Sequence, residues 1–120
     1  MSMDATPTPE ERRAALTAEM SRTAFQRKAV SRAAPRAALQ EAIDFFTARG
    51  YRAGWTGRPN QVFVMGGREG ILPRVNAEIL AQANVGKGKV TMLTISGFGE
   101  DLSRHLAAYV DHLRQQRKSS

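Results

Sequence analysis

Val75-Asn76-Ala77-Glu78-Ile79-Leu80-Ala81-Gln82-Ala83-Asn84 decides the fold, because it fits two periods at once. Val75, Ala77, Ile79, Ala81 and Ala83 alternate with polar residues, broken only by Leu80, which is strand spacing. Leu72, Val75, Ile79 and Ala83 also fall at helical spacing. The richness in Ala, Glu, Leu and Gln favours a helix over residues 71–84, with Pro73 tolerated in its first turn. The competing reading is a long hairpin closed at Asn84-Val85-Gly86-Lys87-Gly88.

The segments on either side are plainer. Lys89–Ser96, Lys-Val-Thr-Met-Leu-Thr-Ile-Ser, is a strand ended by Gly97-Phe98-Gly99. A helix follows from about Glu100 to Gln116, with Leu102, Leu106, Tyr109, Val110 and Leu113 as its apolar stripe. Its acidic start (Glu100, Asp101) and basic end (Arg114, Arg117, Lys118) complement the helix dipole. Upstream, Tyr51–Thr56 and Gln61–Met65 read as a β-hairpin around Gly57-Arg58-Pro59-Asn60. Tyr51, Ala53 and Trp55 share one face, and the lone tryptophan is expected in the core; the competing reading is an exposed Tyr51 and Trp55 stacking platform edged by Arg52 and Arg58. Before it, Leu39, Ala42, Ile43 and Phe46 make one helical stripe that Gly50 terminates.

At the N-terminus, Thr8-Pro9-Glu10-Glu11 combines a cap, a proline in the first turn and a capping-box glutamate. The expected helix runs to about Ala33, is thinly apolar and carries a basic face, and Pro35 breaks it. The expected organisation is a disordered tail over 1–8, an N-terminal basic helix over 9–34, an α+β domain over 36–117 and a tail over 118–120. The fold class is α+β, with a small, mainly antiparallel sheet of three to four strands flanked by helices.

Composition narrows the function. The 120 residues fit about one domain of ordinary size. The chain has no cysteine, which removes disulfides, zinc–thiolate sites and cysteine nucleophiles. No apolar run approaches the ~20 residues of a membrane span, and no signal peptide is recognisable, so the expectation is a soluble cytoplasmic protein without a membrane partner. G-x-S-x-G, H-E-x-x-H and the P-loop pattern are absent. Gly86-Lys87-Gly88-Lys89 lacks the length and the Ser/Thr of a phosphate loop. Asp44, Glu69, Glu78 and Asp111 are scattered, without the paired spacing of an acid–base site. Asp101, His105 and His112 lie along one side of the last helix but lack a converging ligand from another element. These readings argue against an enzyme, and neither cofactor nor metal is expected.

The charge argues for binding. The net charge is +7, and 14 of the 18 basic residues are arginine, which suits bidentate phosphate contacts. The expected function is nucleic-acid binding, with Arg52, Arg58, Arg68, Lys87 and Lys89 as a basic edge of loops beside the sheet. The alternative is a protein-interaction or assembly module, with a protein partner or a second copy of the chain on the N-terminal helix.

Gly67-Arg68-Glu69-Gly70 is a G-x-x-G sequence that resembles the loop of KH RNA-binding modules. The order strand, Gly97, amphipathic helix over Val90–Leu113 is similar to the end of such a domain. The resemblance covers residues 62–113 and implies that Gly67, Arg68 and Gly70 clamp a nucleic-acid backbone. It departs from the family in having a strand rather than a helix before the loop, and in setting the Glu69 charge where phosphates would pass.

Overall fold

The computed structural model describes residues 6–85 and 90–118. In chain order the elements are α1 (Pro9–Arg22), β1 (Phe25–Ser31), α2 (Pro35–Thr47), β2 (Arg52–Trp55), β3 (Gln61–Gly66), β4 (Val75–Val85), β5 (Val90–Phe98) and α3 (Glu100–Lys118). The five strands form one antiparallel sheet in the order β1-β5-β4-β3-β2. The class is therefore α+β, with five strands where the sequence reading gives three to four.

Two segments account for the difference. The sequence reading carries the N-terminal helix to about Ala33, whereas α1 stops at Arg22 and residues 25–31 form an edge strand on β5. The capping box at Thr8 and Glu11 forms as expected. Thr23 ends the helix: its hydroxyl and N–H both donate to the Glu19 carbonyl. Residues 75–85 are strand β4 rather than the expected helix. Val75, Ala77, Ile79 and Ala81 are buried, and Asn76, Glu78, Leu80 and Gln82 are exposed. Leu80, the one break in the alternation, is 46% exposed on the polar side of the strand.

β2 to β5 form a meander, and α2 connects the two edge strands β1 and β2. α2 packs on β2, β3 and β4, and α3 packs on β1 and β5. The core lies between the helices and one sheet face. Leu39, Ala42 and Phe46 of α2 meet Val62, Val64, Ile79 and Leu93 of the sheet and Leu106, Tyr109 and Val110 of α3. Phe45, Phe46 and Tyr109 pack their rings 5.1–5.4 Å apart, in the range where edge and tilted ring pairs add stability beyond area burial.

The register fixes which connections share an end of the molecule. Ser31 pairs with Thr91, and Trp55 pairs with Val62. The β1–α2 connection, the β2–β3 turn, the end of β4, the start of β5 and the C-terminus of α3 therefore lie at one end of the sheet. α1, the α2–β2 and β3–β4 connections and the N-terminus of α3 lie at the other.

Candidate functional site

The first of these ends is cationic. Residues 32–36, 56–60 and 112–118 supply six positive side chains, Arg32, Arg36, Arg58, Arg114, Arg117 and Lys118, and contain no Asp or Glu. Arg32, Arg114, Arg117 and Lys118 surround one cleft of about 220 Å³. An adjoining cleft adds Ser31, Glu41 and Gln116.

Local hydrogen bonds hold these segments in place. Ser31 Oγ accepts the N–H of Ala33 at 3.0 Å, and Thr91 Oγ1 donates to the Ala33 carbonyl at 2.7 Å, so both flanks of Arg32 are tied to the sheet. Pro35 starts α2 and places Arg36 in its first turn. In the β2–β3 turn, Thr56 Oγ1 accepts the N–H of Arg58 at 3.1 Å, and the Thr56 N–H donates to the Gln61 carbonyl at 3.2 Å. Gly57 and Asn60 take φ of +93° and +57°, a region that glycine and asparagine tolerate. Arg114 is 3.8 Å from Asp111 across an exposed helix face.

At the opposite end the cations are interleaved with carboxylates. Arg22 bonds Glu19 at 2.7 Å and reaches Glu100 at 3.3 Å, which holds the Glu19 carboxyl below its ordinary range and the Arg22 guanidinium above it. Arg104 lies 3.2 Å from Asp101 and 3.9 Å from Glu100. Residues 9–22, 48–52, 66–74 and 99–104 at that end carry eight basic and six acidic side chains, a net of +2, against +6 for the three segments at the first end.

The basic residues singled out from sequence are divided between the ends. Arg58 lies at the cationic end. Arg52 pairs with Met65 at the other, lining a cleft with Gly67 and Arg74. Arg68 is at that same end, in a different cleft beside Arg12, Leu16 and Ile71. Lys87 and Lys89 lie outside the described residues. Arg32, Arg114, Arg117 and Lys118 were missed as a group because Arg32, in the β1–α2 connection, stands 82 residues before Arg114 in the chain.

The G-x-x-G loop connects strands β3 and β4, a context unlike that of a KH loop. Glu69 and Leu72 exchange backbone hydrogen bonds at 2.9 Å around Gly70, whose φ is +58°. The Glu69 carboxylate turns onto the N-terminus of α3, where it accepts the N–H groups of Asp101 and Leu102. The loop's hydrogen bonding is thus directed to the fold.

Trp55 departs from its expected place in the core. It has the core-facing parity of Val62 and Val64, but it ends the edge strand and is 36% exposed. Arg36 covers one side, its guanidinium carbon 4.8 Å from the ring centroid. Of the two histidines of α3, His105 is half-buried and His112 is exposed. His105 packs edge-on to Tyr51 at 5.2 Å, and His112 lies 5.3 Å from Phe45. Among the described residues no group of three or more His, Cys, Asp or Glu side chains is arranged to hold a metal ion. No helix among them is long and apolar enough to cross a membrane.

Comparison with known proteins finds no matching protein-family model, no curated protein of significant similarity and no solved structure of significant similarity.

Proposed function

We propose that the protein is a non-enzymatic nucleic-acid-binding domain that engages the phosphate backbone with its cationic end. The observation that carries this reading is the concentration of six basic and no acidic side chains in the three segments at that end, four of them around one cleft. Arginines there present planar forks to phosphate oxygens, and an array of cations displaces condensed counterions from the polyanion. Arg58 keeps its place in the interface proposed from sequence, whereas Arg52 and Arg68 belong to a separate surface.

Fluorescence anisotropy of labelled oligonucleotides at about 50 and 200 mM salt tests the proposal. Six phosphate contacts give a log–log salt slope of about −4 to −5, hence a loss of roughly two to three orders of magnitude over that range. The triple variant Arg58→Ala, Arg114→Ala, Lys118→Ala is expected to reduce the slope by about 2 to 3. Arg52→Ala combined with Arg68→Ala is expected to leave it unchanged. Absence of binding at the lower salt overturns the proposal.

A second reading, an assembly module working through α1, is favoured by one observation: no residue of α1 is buried. Met20 on α1 and Ile71 on the adjoining loop are both exposed large hydrophobic side chains. Sedimentation of the full chain tests self-association, and a monomer at all concentrations removes the homo-oligomeric form of this reading.

A further inference from the structure

We infer that the cationic end is selective for single-stranded nucleic acid, with Trp55 as a base-stacking platform. This inference rests on the nucleic-acid reading above and adds the class of ligand to it. Trp55 is the one aromatic among the exposed large hydrophobic residues of the described chain. It stands at the end of an edge strand, one residue before the turn that carries Arg58. Arg36, which stacks on it, lies in the first turn of the helix that follows Arg32. The indole is therefore bracketed along the chain by the cations assigned to phosphate.

An indole with 36% of its surface exposed gains by covering that surface, and a nucleobase matches it in planarity. Bases inside a duplex already stack on their neighbours, so only an unpaired base presents a free face to Trp55. Arg36 fixes the ring from one side by a cation–π contact, so the ring is held in place before a base arrives. Phosphate contacts alone attract single and double strands alike; the indole is what distinguishes them.

Trp55 is the protein's only tryptophan, so its intrinsic fluorescence reports on this site in the unmodified full-length chain. The experiment titrates the protein with an oligothymidylate of about 12 nucleotides, within the span of common single-strand sites, and with a duplex of the same length. Quenching of Trp55 by the single strand, with weaker binding and little quenching by the duplex, is the expected result. Trp55→Ala is expected to weaken single-strand binding roughly ten- to one-hundred-fold and to leave duplex binding within about twofold, and Trp55→Phe to recover part of the loss. Anisotropy that shows binding of both ligands with equal affinity and an unquenched tryptophan overturns the inference but leaves the nucleic-acid reading standing. Binding of neither ligand overturns both. Because the quenching experiment needs no variant, a folding defect in Trp55→Ala does not remove the test.

Discussion

The carboxylate of Glu69, on the connection between β3 and β4, accepts the backbone N–H of Leu102 at 3.1 Å, and its other oxygen accepts that of Asp101 at 2.9 Å. α3 is thus capped from another element. Gly99 stands at the helix start, its carbonyl accepting from the Ser103 N–H, and it has no side chain to cap with. Glu69 satisfies two of the N–H groups that every helix leaves without intrahelical partners, and sets a negative charge at the positive end of the dipole.

Glu69→Ala is therefore expected to destabilise the protein by about 1–2 kcal/mol. That corresponds to a fall in Tm of roughly 3–10 °C for a domain of this size. Glu69→Gln keeps one acceptor oxygen and loses the charge, so it is expected to fall between the wild type and the alanine variant. Thermal unfolding of the three proteins checks the order; equal Tm values for Glu69→Ala and the wild type contradict the cap.

Gly97 lies between Phe25 and Ala77 on the neighbouring strands. A Cβ at position 97 would meet the Ala77 Cβ at 2.5 Å, the Asn76 carbonyl oxygen at 2.8 Å and the Ala77 Cα at 2.9 Å. Two of these three atoms are backbone, which cannot turn aside as a flexible side chain does. Gly97→Ala is expected to cost about 1–3 kcal/mol, the usual range for overpacking. Ala77→Gly in the same chain relieves only the first contact. A denaturant-based double-mutant cycle should therefore show favourable coupling smaller than the cost of Gly97→Ala itself.

The parts of the fold that were legible in the sequence are those whose signals are local. The hairpin at 51–65, the stripes of α2 and α3, and the capping box of α1 all rest on residues a few positions apart. β1 was not legible. The stretch from Thr23 to Ser31 holds no glycine or proline to break a helix, and further groups that lock the helix end are remote. The Gly99 N–H donates to Thr23 Oγ1 at 2.9 Å, and Ser103 Oγ donates to the Thr23 carbonyl at 2.6 Å. Pairing with β5 then outweighs the weak helix propensity of residues 25–31. β4 is legible as one of two readings: the richness in Ala, Glu, Leu and Gln favours the helix, whereas in the sheet the alternation holds, with Leu80 exposed on the polar side. The cationic end depended on both. Which connections share an end follows from how many strands separate them, so a missing β1 and a helical β4 scatter Arg32, Arg58 and the end of α3.

Tyr109 faces the rings of Phe45 and Phe46 in the core, and its hydroxyl is buried without a hydrogen-bond partner. A buried hydroxyl of that kind has lost its contacts with water and gained nothing in return, at a cost of about 1–3 kcal/mol. Tyr109→Phe removes the hydroxyl and keeps the ring, so it is expected to leave stability unchanged or to raise it, by about 1 kcal/mol at most after loss of the oxygen's packing. The effect should depend on pH in one direction. Burial, and secondarily the negative charge of Glu41, raise the Tyr109 phenol above its ordinary pKa. In the unfolded chain a tyrosine ionises near pH ~10, so below that pH both states hold the proton and pH has no influence through this group. Above it the unfolded chain releases the proton while the folded protein retains it, and wild-type stability falls by up to about 1.4 kcal/mol per pH unit. Tyr51, also raised mainly by burial, contributes in the same direction but is present in both proteins. Chemical denaturation at pH ~8 and ~11 should therefore show Tyr109→Phe gaining on the wild type at the higher pH; a constant difference between the two would mean that the Tyr109 phenol titrates alike in the folded and unfolded chains.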